Sequence, residues 1–191
     1  MNSKSSKVVS VISKFLEIAC FVTALLYATF FVLNFVLPSF TDKIVFLFAS
    51  ETGGELNVNG FDIRALKDGV ITRSAVVAFS LAGLFSMLCK TMIFRNLYLI
   101  IKTSAGKTWF SKGETPFQKD ISRMVKEIGI FYIMIPVLET VISAIFRPII
   151  GMESAEISVR MEGLLTGLII IVLSSIFVYG EKLENELEGL V

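Results

Sequence analysis

The sequence predicts an all-α integral membrane protein, with four transmembrane helices in a bundle and a small extracytoplasmic β-hairpin between the first two. Three observations predict this fold. Of the 191 residues, 54% are hydrophobic and 18% are charged, whereas soluble domains average about 25% charged residues. The apolar residues gather in four runs, each close to the ~20 residues that a helix needs to cross a membrane. Between the first two runs, an Asn-Gly pair stands at the centre of a hairpin pattern.

The four apolar runs are long enough to be membrane spans. They contain 23, 21, 19 and 18 residues and hold only three charged residues between them. Helices of a soluble bundle carry a polar stripe that faces water, and these runs carry none. In lipid the backbone has to satisfy its own hydrogen bonds, so each run is expected to be helical. The runs are 15–37, 74–94, 128–146 and 163–180, and the second helix is expected to continue to residue 101.

Basic residues are distributed unequally between the two ends of the spans. Ten lie in the N-terminal segment 1–14, the loop 102–127 and the tail 181–191, and six lie in the loops 38–73 and 147–162. Cytoplasmic loops carry the excess of Lys and Arg. The sequence therefore predicts a multi-pass plasma membrane protein in which both termini and the loop 102–127 are cytoplasmic.

The first extracytoplasmic loop contains a hairpin pattern at residues 55–64. Asn59-Gly60 suits a type I′ turn, because both central residues of that turn need a positive φ. A lone hairpin is marginally stable in water, so we expect its apolar face to lie on helix ends or on lipid headgroups. The hairpin is then either a cap that senses a ligand or a packed connector. On the apolar face, Val58 is expected opposite Phe61, and Leu56 opposite Ile63.

Glu139 is an ionisable residue near the middle of the third span, three residues after Pro136. Charges inside a span are costly and mark functional positions by default, and proline removes a helix hydrogen bond. With no cation at that depth, we expect a protonated carboxyl group, with Tyr27 as a candidate hydrogen-bond partner. Glu139 is then either a proton or ligand site or a group that fixes helix packing. Lys90 and Glu17, near the cytoplasmic ends of their spans, are expected to form a pair.

Small residues recur four positions apart in three of the spans, and those of the first span are Cys20, Ala24 and Ala28. Such ridges let helix backbones approach closely in lipid. They serve either packing within the chain or formation of a homo-oligomer, and we expect the former because four helices already need partners. The residues are Ser74, Ala78, Ala82 and Ser86 in the second span, and Gly163 and Gly167 in the fourth.

The loop 102–127 is basic, and the tail 181–191 is acidic. Gly106-Lys107-Thr108 resembles the end of a phosphate-binding loop but lacks the glycine five positions earlier, which excludes nucleotide binding. Leucines at helical spacing predict an amphipathic helix in the tail. This helix docks on the basic loop or on a cytosolic partner, or it continues the fourth helix into solvent. Candidates for a partner surface are Lys107, Lys112, Lys119, Arg123, Glu184 and Glu188.

The composition excludes several classes of chemistry. The chain has no histidine, which excludes histidine-ligated zinc, serine–histidine hydrolysis and haem with a histidine ligand. Its two cysteines are too few for a disulfide framework or a four-cysteine metal site. The net charge of +1 gives no support to nucleic-acid binding. We therefore expect no metal, no cofactor and no catalytic residues.

Two stretches carry a family resemblance. Residues 113–129 begin with Gly, then Pro-Phe, and continue through an Arg to an Ile-Gly pair, and residues 176–180 read Ile-Phe-Val-Tyr-Gly before the acidic tail. Together they resemble a bacterial family of small four-span membrane proteins, the domain of unknown function numbered twenty-nine seventy-five. Thr115 makes the first turn one residue longer than in that family, and the family's glutamine-rich entry to the tail is missing. The resemblance implies a four-span architecture and a regulatory role beside small helix-turn-helix regulators.

Two functions from different classes follow. The first is a non-enzymatic regulatory or sensor subunit that couples a membrane or outer signal to a cytosolic partner through the loop and the tail. The second is a small transporter, channel or immunity-type protein that uses Glu139 as its polar site. A membrane enzyme is disfavoured, because the spans hold no cluster of Asp, His, Ser or Arg.

Overall fold

The computed structural model describes residues 3–58, 60–67, 69–111, 115, 117–151 and 160–188. Across these residues the chain is mostly helical, with four short strands between the second and third helices. The helices are α1 (Ser3–Val36), α2 (Pro38–Glu51), α3 (Arg73–Ser104), α4 (Lys119–Ile150) and α5 (Met161–Glu188). The strands are β1 (Glu55–Val58), β2 (Phe61–Arg64), β3 (Leu66–Lys67) and β4 (Val70–Ile71).

Four helices, α1, α3, α4 and α5, are long enough and apolar enough to cross a membrane. This confirms the predicted number of apolar helices. Several helix ends lie beyond the predicted spans. α1 already begins at Ser3, α4 begins at Lys119 inside the predicted loop, and α5 continues to Glu188 through the predicted tail. Residues 181–188 are rich in Glu and Leu, which favour helix. For all three segments, extending an existing helix is far easier than nucleating a new one.

α2 lies within a segment that the sequence predicted only as a loop. Pro38 is its first residue, and Leu37, with φ −131° and ψ 65°, separates it from α1. A proline cannot continue α1, because it lacks the N–H donor and its ring clashes with the preceding turn, but it fits the first turn of a new helix. The chain therefore ends one helix and starts another at this point.

The predicted hairpin is present, with the predicted register. β1 and β2 are antiparallel, with Leu56 opposite Ile63 and Val58 opposite Phe61. These four side chains are buried, whereas the alternate residues of both strands are exposed. Gly60 has a φ of +80°, as the turn requires. A second, two-residue pairing of β3 with β4 turns at Gly69 and was not predicted.

The chain divides into two compact units, which we describe separately. The hairpin unit comprises Phe21–Leu88 and Ile135–Arg160, and the tail unit comprises Met1–Cys20, Cys89–Met134 and Met161–Val191. The hairpin unit has a continuous apolar core in which α2, the hairpin, α3 and α4 all take part. That core contains Val45, Ala49, Leu56, Val58, Phe61, Ile63, Ala65, Ala75, Val76, Ala78, Ala82, Ile142 and Ile150.

The hairpin is therefore packed onto helices. Of the two interpretations that the sequence left open, this geometry is that of a packed connector. Its four apolar side chains are between 1% and 7% exposed, so each is removed from water almost completely. The apolar face of the hairpin is therefore occupied, which leaves its turn and its exposed polar face for any further contact.

Candidate functional site

A buried ion pair joins α4 to the residue that precedes α5. Arg160 Nη2 donates to Glu139 Oε2 at 3.0 Å. The Glu139 side chain is 7% exposed and that of Arg160 is 36% exposed. The expectation that no cation lies near Glu139 was therefore wrong. Arg160 lies 21 residues away in sequence, and it was counted only as a charge of the loop 147–162.

The guanidinium group of Arg160 also lies against the hairpin turn. A Cβ atom added at Gly60 would stand 2.9 Å from both Cζ and Nη1 of Arg160, which is closer than real Cβ atoms approach other groups. Glycine is needed here for its positive φ of +80°, and it also leaves room for the arginine. Arg160 thus contacts the hairpin turn and the Glu139 carboxylate at the same time.

α4 remains a continuous helix through Pro136, which lies one turn before the carboxylate. The proline has no N–H to donate to the carbonyl of Tyr132. The carbonyl of Pro136 accepts a hydrogen bond from Thr140 Oγ1 at 2.7 Å in addition to its helical role. The missing backbone hydrogen bond therefore lies in the turn of α4 that precedes Glu139.

Tyr27, the residue proposed as a partner of Glu139, packs against α3 at Gly83. Its ring lies edge-on to Phe79, with centroids 5.7 Å apart. A Cβ atom at Gly83 would stand 2.6 Å from Cδ1 and Cζ of Tyr27. Tyr27 therefore sets the close approach of α1 and α3 in the hairpin unit. The contact that the sequence analysis missed at Glu139 is Arg160.

Glu17 forms its ion pair on its own helix. Lys14 Nζ lies 3.0 Å from Glu17 Oε2, three residues away, whereas the expected partner was Lys90, which is half-buried in α3. A lysine three residues away on the same helix face needs no rearrangement to reach the carboxylate. Lys14 Nζ also lies 5.3 Å from the centroid of the Tyr98 ring, and Lys102 Nζ lies 5.6 Å from it.

The small-residue ridge of the second predicted span is used for packing within the chain. Ala78, Ala82 and Ser86 are at most 2% exposed, and Ser74 is half-buried. In the tail unit, Gly167 is buried against α4, and Gly163 is half-buried. A Cβ atom at Gly167 would stand 2.7 Å from the carbonyl oxygen of Gly129, so α4 and α5 meet backbone to backbone there.

The acidic tail contacts the turn that precedes α4. Thr115 Oγ1 donates to Glu184 Oε2 at 2.9 Å. The ring of Phe117 lies against Gly180, where a Cβ atom would stand 2.5 Å from Cε1, and 6.1 Å from the centroid of Phe177. Of the alternatives that the sequence left open for the tail, α5 does continue through it to Glu188, and these contacts with the loop involve a threonine and a phenylalanine.

The basic candidates of the predicted partner surface differ in their surroundings. Arg123 is engaged on its own helix, 3.8 Å from Asp120 and 3.4 Å from Glu127. Lys107 and Lys119 are exposed. Lys112 and the side chain of Glu188 lie outside the described residues. In the part of the chain that the structure describes, no three His, Cys, Asp or Glu side chains cluster as metal ligands would.

Trp109, the only tryptophan of the chain, was not singled out by the sequence analysis. It is 95% exposed and stands edge-on to Phe110, with centroids 5.3 Å apart. It lies two residues after Lys107 on the predicted cytoplasmic loop. Exposed tryptophans are enriched at protein interfaces, so Trp109 joins the candidate partner surface.

Comparison of the chain with protein-family models, with curated proteins and with solved structures finds no match.

Proposed function

We propose that the chain is a four-span protein of the bacterial plasma membrane, with both termini in the cytoplasm, that acts as a non-enzymatic regulatory or sensor subunit. Four apolar helices of sufficient length support the spans, and the excess of basic residues at one end supports the orientation. The resemblance in the second half of the chain supports the bacterial setting and the regulatory role.

The contact of Arg160 with both Glu139 and the hairpin turn carries this proposal. A carboxylate inside an apolar span is expensive to keep charged, and removing its counter-charge leaves it uncompensated. Because the guanidinium group lies on Gly60, a ligand or membrane event that moves the turn also moves the counter-charge of Glu139. A shift between a paired and an unpaired carboxylate gives α4 two states of different energy, which is the requirement for a switch.

In this switch, a change at Glu139 alters the contacts of the turn at the start of α4. α4 carries Glu139 and begins immediately after Phe117 and Gln118, and Phe117 holds the tail at Gly180. A change in α4 would release or hold the segment that carries Glu184, and so alter what a cytosolic regulator binds. The charged surface beside it, with Lys107 and Lys119 exposed, provides the contacts for such a partner.

Hydrogen–deuterium exchange of the full chain in lipid nanodiscs tests this coupling. We expect Arg160→Gln to speed exchange several-fold in residues 117–120 and 180–186, with residues 165–175 unchanged. The matched control is Arg64→Gln, which removes an exposed ion pair with Glu55 in the same hairpin. An effect of Arg160→Gln confined to the hairpin unit would refute the coupling.

The alternative is a small transporter, channel or immunity-type protein. The same buried carboxylate favours it, because ionisable residues within spans line ion and proton pathways. The two functions differ in what Glu139→Gln does. In a transporter, the substitution abolishes flux while the tail stays docked, whereas in a regulatory subunit it alters the tail and there is no flux to lose.

A further inference from the structure

The surface of α2 has three faces of different character, arranged around the helix axis. The first face packs into the hairpin unit, because Thr41, Val45 and Ala49 recur four residues apart and are at most 2% exposed. An ion pair fixes the helix further, with Asp42 Oδ2 3.6 Å from Arg73 Nη2. This face explains why α2 folds against the rest of the unit.

The second face is apolar and points away from that core. Phe40, Leu47 and Phe48 are 52%, 62% and 60% exposed, and Ile44, between them on the same face, is half-buried. Their spacing of i, i+4, i+7 and i+8 is that of one continuous helix face, which ends at the exposed Glu51, the last residue of the helix. The apolar surface that they form has no cover in the hairpin unit.

The third face is polar. Ser39, Lys43 and Ser50 share it, and all three are exposed. Phe46, which is 51% exposed, lies at the edge of this face, next to Ser39 and on the side of the core-facing residues. A helix with one face on its own protein, one apolar and one polar has the pattern of an element that lies in the plane of a membrane surface.

We infer that α2 lies in the outer membrane–water boundary, with Phe40, Ile44, Leu47 and Phe48 inserted among the lipid acyl chains of the outer leaflet. Its 14 residues span about 21 Å along the axis, too short to cross a hydrocarbon core of about 30 Å. The last turn of α1 supports the same placement. There Val32, Phe35 and Val36 are 55% to 66% exposed, and only Leu37 separates this surface from α2.

The arrangement favours lipid over a protein partner as the cover of the apolar face of α2. The apolar face of α2 continues the exposed apolar surface at the end of α1, which the bilayer covers if α1 is a span. The adjacent polar face, with Lys43, is then turned to the headgroups and water. Val45 and Ala49 belong to the same core as the hairpin, so α2 anchors the hairpin unit to the outer leaflet. The inference rests on the membrane placement proposed above.

Tryptophan fluorescence in proteoliposomes tests this placement. Trp109 is the only tryptophan, so Trp109→Phe gives a background without one. Single tryptophans are then introduced as Phe40→Trp and Phe48→Trp on the apolar face, and as Ser50→Trp on the polar face. We expect lipids brominated near the glycerol end of their chains to quench the first two several-fold more than the third, and aqueous iodide to show the reverse order.

A control in a span separates the two proposals. Ile169→Trp, at a 61% exposed position of α5, should be quenched by lipids brominated near the chain end. If it is not, the membrane placement itself fails. If it is, but the Phe40 and Phe48 variants respond like Ser50→Trp, the inference about α2 fails alone. Protection of both sites from both quenchers would mean that a protein covers the face, which also overturns it.

Discussion

At the level of single residues, Arg160 supplies a counter-charge to the buried Glu139 carboxylate. Arg160→Gln removes that charge from a carboxylate that is 7% exposed. Breaking a fully buried pair costs about 3–5 kcal/mol, and since Arg160 is one-third exposed we expect a loss of about 2–3 kcal/mol of unfolding free energy. Equilibrium unfolding in mixed micelles measures it.

Two variants control this prediction. The double variant Glu139→Gln with Arg160→Gln removes both charges, so most of the stability should return. Arg64→Gln breaks an ion pair whose two side chains are 46% and 49% exposed, and it should cost less than about 1 kcal/mol. If Arg160→Gln and Arg64→Gln lowered the unfolding free energy equally, the result would contradict a buried ion pair between Glu139 and Arg160.

The hairpin turn offers a second residue-level prediction. Gly60→Ala should cost more than Gly69→Ala, although both glycines have φ near +80° (+80° and +77°). The backbone strain is shared and amounts to about 1–2 kcal/mol. A Cβ atom at Gly69 meets nothing within 4 Å, whereas one at Gly60 meets Arg160. Unfolding measurements on both variants give the difference.

The extra cost of Gly60→Ala should disappear when Arg160 is replaced by alanine. In that background the two glycine substitutions should be equivalent, because only strain remains. A Gly60→Ala penalty that persists without the arginine would show that the guanidinium group does not occupy the turn.

The residue-level predictions from sequence succeeded where local chemistry was sufficient. The turn at Gly60 and the buried faces of the hairpin follow from the requirement for positive φ and from alternation. Glu139 stood out because a charge interrupts an apolar run. Arg160 did not, because its role depends on a chain reversal 21 residues away, and a count of loop charges carries no information on where an arginine side chain points.

At the level of elements, hydrophobic length was enough to predict four helices, and it was not enough to find their ends. α4 begins at Lys119, because polar helix-forming residues extend a helix beyond its apolar run at little cost. α2 was not predicted as a helix, because 14 residues with apolar side chains on two faces resemble neither a span nor a simple amphipathic helix. Pro38, its first residue, was the feature of the sequence that could have predicted the start of a helix.

The crossing of α4 and α5 gives the element-level prediction. Gly167→Ala should destabilise the protein by about 1–3 kcal/mol, because its Cβ atom would stand 2.5 Å from Ile133 Cγ1 and 2.7 Å from the Gly129 carbonyl oxygen. Gly129→Ala should act similarly, from the other side of the same contact. Thermal unfolding in detergent is the measurement, with Ser175→Ala on the exposed side of α5 as control. If all three variants unfold alike, the two helices do not meet closely.

At the level of the whole molecule, two of the four long apolar helices are hardly buried within the chain. Only 6% of the spanning window of α1 and 11% of that of α5 is buried within the chain, compared with 50% for α3. Soluble monomers rarely expose large continuous apolar patches. The proposed membrane placement accounts for this exposure, because lipid hydrocarbon is as apolar as the side chains.

The four-span orientation is the central claim, since the roles of the hairpin, of Glu139 and of the tail all depend on it. Labelling of single cysteines in sealed right-side-out membrane vesicles tests it most directly, in a chain with Cys20 and Cys89 replaced by alanine. We predict that a membrane-impermeant maleimide labels Val70→Cys at once, and labels Lys107→Cys and Lys182→Cys only after the vesicles are permeabilised. Labelling of Val70→Cys and Lys182→Cys from the same side would contradict the account.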